Sequence, residues 1–185
     1  MKRKTTLLVL EQSLNTSTAT LLNRKGEVMQ QVSQECSDVS WQGPLMEVVP
    51  LEVIYTLRST INQCIKKSRI KMEGIDSIAL VVSGMASLAW DKESGLALTP
   101  MISGQNEAMK DILRKQKKNQ LEEIIFEKTG RFLEPSLGGH FKEMTERFPE
   151  LRSAAVQKKL MFGSCASWIL YHLTGRDVLS VSDAH

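Results

Sequence analysis

The sequence predicts an α/β protein built on a mixed sheet with helices on both faces. Three observations carry this. Segments of strand length open the chain: the apolar run Leu7 to Leu10, Thr18 to Leu22, which is rich in strand formers, and Val28 to Val32, which can return as a third strand. A stripe at helical spacing follows, formed by Leu51, Ile54, Leu57, Ile61, Cys64 and Ile65. Another continuous apolar run, Ile78 to Val82, then returns to strand character.

The first three runs read as an antiparallel meander. Asn23-Arg24-Lys25-Gly26 supplies the turn between the second and third, because glycine tolerates positive φ and asparagine comes next best. Ser37 to Pro50 shows little periodicity, contains Gly43-Pro44, and reads as a connecting loop. Pro50 suits the first turn of a helix, where its missing N–H would be unpaired anyway. Lys66, Lys67 and Arg69 lie near that helix's C-terminal end, where the dipole favours cations. Leu88 to Trp90 and Leu96 to Leu98 flank Asp91 to Gly95 as a hairpin. Asn106 to Lys117 and Leu121 to Lys128 read as helices, the second stopped by Gly130. Glu134 to Gly139 reads as a loop and Phe141 to Phe148 as a helix ended by Pro149. Lys159 to Phe162 reads as a strand, Ser164 to Leu173 as a helix closed by Gly175, and Val178 to Val181 as a last strand. The topology expected is a central strand at Leu7, paired with the strand near Thr18 and flanked by the strand near Ile78. Leu8, Leu10, Ile78, Leu80 and Val82 are expected to be buried.

The chain has 185 residues, 42% of them hydrophobic and 24% charged, which suits one lobe with a real core and argues against disorder. A net charge of +3 with acids scattered among the bases, and aromatics at only 5%, speaks against a nucleic-acid surface. Runs such as Lys115 to Lys118 read as solvated helix faces. Cys36, Cys64 and Cys165 form no CxxC pair, so they read as buried thiols of a reducing compartment rather than a zinc or disulfide framework. The apolar run after the basic start, Leu7 to Leu10, is too short for a signal peptide or a membrane span, and a cytoplasmic protein is the expectation.

The order β-β-β-α-β, with three antiparallel strands feeding a crossover helix and a parallel strand, matches the ribonuclease H-like or actin-like ATPase lobe. Six stretches, in order, resemble the FGGY carbohydrate kinases, the glycerol and gluconate kinases among them. They are Leu8 to Thr18; Trp41 with Glu47-Val48-Val49-Pro50-Leu51-Glu52; Ile75 to Gly84 with Ala89-Trp90-Asp91-Lys92-Glu93-Ser94-Gly95; Pro100-Met101-Ile102; Glu127-Lys128-Thr129-Gly130 with Pro135; and Leu160 to Gly175 with Ser182-Asp183. The resemblance covers nearly the whole chain. It implies one N-terminal kinase lobe over 1–185, incomplete at its C-terminal end. The catalytic Asp of a Gly-Asp-Gln-type segment and the adenine-holding second lobe are then expected outside these residues.

For the site, the resemblance implies ATP and magnesium as cofactors and a small sugar, sugar acid or polyol as substrate. Glu11 takes the position of the strand-end Asp that serves the metal, its extra methylene displacing the carboxylate by about 1.5 Å. Ser13, Leu14 and Asn15 replace the family's glycine and two threonines. Asn15, Thr16, Ser17 and Thr18 remain as donors for phosphate, and the alternative is an ordinary polar β-turn on an inherited fold. Glu11, as the end of a buried strand, needs either an open, metal-bearing setting or a structural ion pair with Lys2 or Lys4.

On the substrate side, Gly84 and Met85 stand where glycerol kinases carry an Arg-Glu pair, and Ser83 to Leu88 resembles the Ser-x-Met-His-Ser-Leu segment of gluconate kinases, with Ala86 in place of the histidine. Ser103, Gly104, Gln105, Asn106 and Glu107 occupy the region of a substrate-contacting Trp, and Ser136 stands where the family has a Tyr. Ser103, Gln105 and Asn106 can donate to a hydroxylated ligand, or form a polar loop and a helix cap. His140, in a Gly-Gly-His stretch, reads as a surface-loop histidine, the alternative being a role on a ligand. His172 reads as packed near Trp168, and Trp90 and Trp168 as core. Two readings stay open: a carbohydrate kinase whose first lobe alone is inactive, and a non-catalytic actin-like module that binds nucleotide or a protein partner. The oligomeric state is also open, homo-oligomers included.

Overall fold

The computed structural model describes residues 6–13, 15–42, 45–82, 86–103, 110–111, 114–115, 121–130 and 137–175. The chain forms two compact units, Met1–Ser40 with Val48–Gly84, and Trp41–Glu47 with Met85–His185.

In the first unit β1 (Leu7–Gln12), β2 (Thr16–Leu22), β3 (Val28–Glu35) and β6 (Ser77–Val82) form one sheet in the order β3-β2-β1-β6. β1 pairs antiparallel with β2 and parallel with β6, Leu8 lying opposite Leu21 and Ile78. The expected meander and central first strand are therefore present. The turn follows its chemistry: the Asn23 side-chain oxygen accepts from the Lys25 and Glu27 amides, and Gly26 takes φ 79°. Leu8, Leu10, Ala19 and Leu21 fill the buried face. Over β2 and β3 lies α1 (Pro50–Ser68).

Two expectations about this unit are corrected. Ile78 is 54% exposed, and Leu80 and Val82 are only half-buried. β6 pairs with β1 alone, and α1 packs on β2 and β3, so nothing described covers that edge. The buried face of α1 is also rotated from the apolar stripe. Val53, Thr56, Leu57, Thr60 and Cys64 are buried, whereas Leu51 is exposed and Ile54, Ile61 and Ile65 are half-buried. Threonine is tolerated inside because the Thr60 hydroxyl lies 2.7 Å from the Thr56 carbonyl oxygen and 3.0 Å from Gln34 Oε1.

The second sheet runs β4-β5-β8-β7-β9. It contains β4 (Val39–Gln42), β5 (Leu45–Val48), β7 (Ala86–Asp91), β8 (Met101–Ser103) and β9 (Leu160–Ser164). β4 and β5 correct the loop expected over 37–50. The helices are α2 (Leu121–Thr129), α3 (Leu137–Arg147), α4 (Glu150–Val156) and α5 (Cys165–Thr174). Lys110, Asp111, Arg114 and Lys115 are helical too, while the rest of the helix expected over 106–117 and the strand expected at Val178 to Val181 lie outside the described residues.

Helices cover both faces of this sheet. Met144 of α3 and Leu151 of α4 pack with Ala89 and Ile102 on one face. On the other, Gly163 leaves room for Trp90 and for Ser167 of α5. The Ser164 hydroxyl caps α5 by accepting from the Ser167 amide, and Gly175 closes it at φ 63°. Trp168 and Trp90 are fully buried, and His172 packs edge-on against Trp168 at 4.6 Å between centroids. Glu47 of β5 lies 2.6 Å from the Arg147 guanidinium of α3, an ion pair without the alignment of a hydrogen bond.

Candidate functional site

In the first unit the site residues gather at the β1–β2 hairpin. Ser13 N donates to the Thr16 carbonyl at 2.9 Å and closes the turn, and Cys36 N donates to the Asn15 carbonyl at 2.7 Å, tying the turn to the end of β3. Side chains alternate across the strands. Gln12 and Ser17, paired in register, point inward and are fully buried. Glu11 and its partner Thr18 point to the other face, where Glu11 is exposed.

That arrangement separates the four expected nucleotide-side residues. Glu11 presents its carboxylate to solvent, so the premise that it ends β1 as a buried charge is corrected. Lys2 and Lys4, its suggested ion-pair partners, lie outside the described residues. Asn15 and Thr16 are half-buried at the turn, with Thr16 Oγ1 3.4 Å from Asn15 Oδ1. Ser17 is turned inward, its hydroxyl donating to Gln12 Oε1 at 2.6 Å, while Gln12 Nε2 donates to the Ser13 carbonyl at 2.7 Å. A direct phosphate contact from Ser17 is at odds with this placement. Gln12 belongs to none of the expected site residues, and the signal for it is a polar residue at an inward position of an otherwise apolar strand.

In the second unit, Ser103 ends β8, 8% exposed and opposite Ala86, the first residue of β7. Gly84, Met85 and Gln105, the other substrate-side candidates, lie outside the described residues, as do Leu14 and Ser136. His140 is not a surface-loop residue. It lies within α3, is 2% exposed, and its Nδ1 is 2.6 Å from Ser87 Oγ of β7. The Gly-Gly-His stretch reads as loop because glycine is a weak helix former, and the buried partner lies 53 residues away in the chain.

The Asp91–Gly95 turn is held from within and from α5. Asp91 Oδ1 accepts from the amides of Glu93 and Ser94 and from the Ser94 hydroxyl. These bonds, those from Ser94 foremost, with the nearby Lys159 charge, hold its carboxyl below the usual range. Trp168 Nε1 donates to the Gly95 carbonyl and Tyr171 Oη to the Lys92 carbonyl. Cys36, Cys64 and Cys165 are buried and form no disulfide with one another; burial pushes the Cys36 and Cys64 thiols upward. Among the described residues, no helix is long and apolar enough to cross a membrane.

Comparison with known proteins places the chain. It is 27% identical over 173 residues to glycerol kinase of Mycoplasma capricolum, a match covering 93% of this chain and 34% of that protein. It is 27% identical over 175 residues to glycerol kinase of Haemophilus influenzae, covering 94% and 35%. Its fold matches that of Plasmodium falciparum glycerol kinase with ADP (TM-score 0.79, 15% identity, 93% of this chain and 35% of the other). It also matches gluconate kinase from Lactobacillus acidophilus (TM-score 0.75, 15% identity, 94% and 34%). The chain thus spans about a third of the length of these relatives. Its α/β architecture is that of the actin-like ATPase lobe. Residues 7–185 match the N-terminal domain of the FGGY family of carbohydrate kinases, and the chain belongs to that family.

Proposed function

We propose that the whole polypeptide carrying this lobe transfers the terminal phosphoryl group of ATP to a hydroxyl of a sugar, sugar acid or polyol. The observation that carries the reading is the placement of Glu11. It is the next-to-last residue of a central strand beside a tight hairpin, and its carboxylate faces solvent with no hydrogen bond or ion pair to any other described residue. One exposed carboxylate, with Thr18 opposite it on the same face, fits magnesium, which keeps several waters and takes one or two carboxylates together with substrate phosphates. Glu11 would hold the metal-bound water, and magnesium when bound would neutralise charge on the phosphates. Asn15 and Thr16 orient the phosphates from the turn. Ser17 contributes through Gln12, whose amide it fixes under the hairpin. Gly84, Met85, Ser103 and Gln105 are the substrate-side residues.

Positioning and electrostatics supply most of the catalysis in phosphoryl transfer. The 185-residue chain spans about a third of the length of its relatives and is therefore expected to be inactive on its own. A cytoplasmic setting and a small hydroxylated substrate, without nucleic acid or membrane, go with this reading. Coupled ADP-release assays with a panel that includes glycerol and gluconate test it. Substrate-dependent turnover by the whole polypeptide and none by the 185-residue chain is the expected result. Sustained turnover by the short chain would overturn the division of labour.

A second reading, a non-catalytic actin-like module, draws support from the inward Ser17 hydroxyl and the buried Ser103. Nucleotide binding without turnover by the whole polypeptide would favour it.

A further inference from the structure

The second unit holds a buried polar pair that the kinase reading does not use. Ser87 is fully buried and His140 nearly so, with Ser87 Oγ 2.6 Å from His140 Nδ1; either the hydroxyl donates to an unprotonated Nδ1 or an Nδ1–H donates to the hydroxyl. Ser87 is the second residue of β7, with Ile102 of β8 opposite it on one side and Ser164 of β9 on the other. His140 comes from α3, whose Met144 reaches the apolar cluster of Ala89 and Ile102.

Burying an imidazole and a hydroxyl costs free energy that an apolar pair of similar size would avoid, so the pair is a poor choice if filling space is its only task. What it adds over apolar filling is direction. An apolar contact between α3 and β7 tolerates sliding, whereas a short hydrogen bond fixes one atom of the helix against one atom of the strand. The fixed point is next to Ala86, and Ala86 is directly opposite Ser103.

We propose that the Ser87–His140 hydrogen bond is a positioning device that locks α3 onto the β7–β8 pair and thereby sets the Ser103 end of β8 for a hydroxylated substrate. The inference rests on the kinase reading, since it takes Ser103 as a substrate-side residue. His140 acts through Ser87 and is a positioning residue, not a catalytic one.

The test is calorimetric titration of the whole polypeptide with the polyol and sugar-acid panel, with thermal melts alongside. The variants are Ser87→Ala, His140→Leu and His140→Asn, and Thr60→Val is the control. Asn carries an amide atom at the same bond distance from Cα as Nδ1, so it can keep the bond. Thr60→Val removes a buried hydroxyl from the first unit. Ser87→Ala and His140→Leu should each raise Kd about tenfold, His140→Asn should recover most of the loss, and Thr60→Val should lower the melting temperature while leaving Kd unchanged. If both pair-breaking variants melt earlier yet bind like the wild type, or if Thr60→Val weakens binding equally, the pair is only structural and this inference fails alone. Wild type that binds nothing in the panel would overturn the substrate-side assignment, and this inference with it.

Discussion

Gln12 and Ser17 face each other across the β1–β2 hairpin, both fully buried, with the serine hydroxyl donating to the glutamine side-chain oxygen at 2.6 Å. The pair sits directly beneath the turn that bears Asn15 and Thr16. Its amide end closes back on the Ser13 carbonyl, so the inner face of the hairpin is held by side chains while its outer face stays open. Ser17→Ala leaves Gln12 Oε1 buried without that donor. The expected cost is about 1–3 kcal/mol, seen as an earlier thermal unfolding transition. The double variant Gln12→Met/Ser17→Ala should recover much of it, because removing both partners leaves no orphaned polar group. A double variant as unstable as the sum of the singles would show that the pair is not acting as a unit.

Glu11, one residue earlier, behaves oppositely because it projects to the other face. Glu11→Gln should leave the melting temperature nearly unchanged, as expected of an exposed residue without a described partner. In the whole polypeptide the same change should weaken magnesium-nucleotide binding about tenfold. Titration calorimetry with thermal melts alongside separates the two effects. Unaltered affinity with a large fall in melting temperature would show Glu11 to be a structural partner, and the metal-side assignment would be withdrawn.

The contrast between these neighbours shows how far the sequence could be read. Leu8 and Leu10 were legible as buried because they lie in a continuous apolar run, and the Asn23–Gly26 turn was legible from residue chemistry alone. Glu11 and Gln12 were not sorted correctly, since strand parity decides which of two adjacent polar residues turns inward, and the run gives no parity where both faces of its start are apolar. β4 and β5 were read as loop because Gly43, Pro44 and Pro50 dominate the local signal while the strands are four residues each. His140 was misplaced for a different reason. Its burial depends on Ser87, a long-range contact that no local pattern announces. Ile78 reversed expectation because a continuous apolar strand says what should be covered, not whether anything described covers it.

Asp91 gives a prediction in pH. Its carboxyl is held below the ordinary value, chiefly by the Ser94 hydrogen bonds and with help from Glu93 N–H and Lys159. A depressed carboxyl contributes stability that is present above the unfolded-state value, near 3.9 for aspartate, and is lost as pH falls through the folded-state value. The Asp91–Gly95 turn should therefore hold at neutral pH and loosen only in acid below the usual aspartate range. Ser94→Ala should raise the Asp91 midpoint toward the ordinary value. NMR titration of the Asp91 carboxyl measures both. An unchanged midpoint in Ser94→Ala would mean that the Ser94 hydroxyl contributes nothing and that the depression rests on the Ser94 and Glu93 amides, which alanine keeps.

The same turn provides the sharpest packing test, because two glycines of like conformation differ in surroundings. Gly26 has φ 79° with nothing within 4 Å of where a Cβ would lie. Gly95 has φ 73°, and a Cβ there would come within 2.5 Å of Tyr171 Cε1. Both alanine variants carry the backbone penalty of the left-handed region, about 1–2 kcal/mol. Only Gly95→Ala adds a steric overlap, and the ring cannot simply swing aside, since Tyr171 Oη donates to the Lys92 carbonyl at 3.0 Å. Trp168 Nε1 holds the Gly95 carbonyl from the same helix, so moving the turn away costs a second bond. Gly95→Ala should thus be more destabilising than Gly26→Ala by about 1–3 kcal/mol, the range for overpacking a well-filled site. Gly95→Ala/Tyr171→Leu should regain part of that difference by removing the ring. Equal losses in the two single variants, measured by denaturant unfolding, would show that the Tyr171 contact does not constrain the turn and that backbone conformation alone requires glycine there.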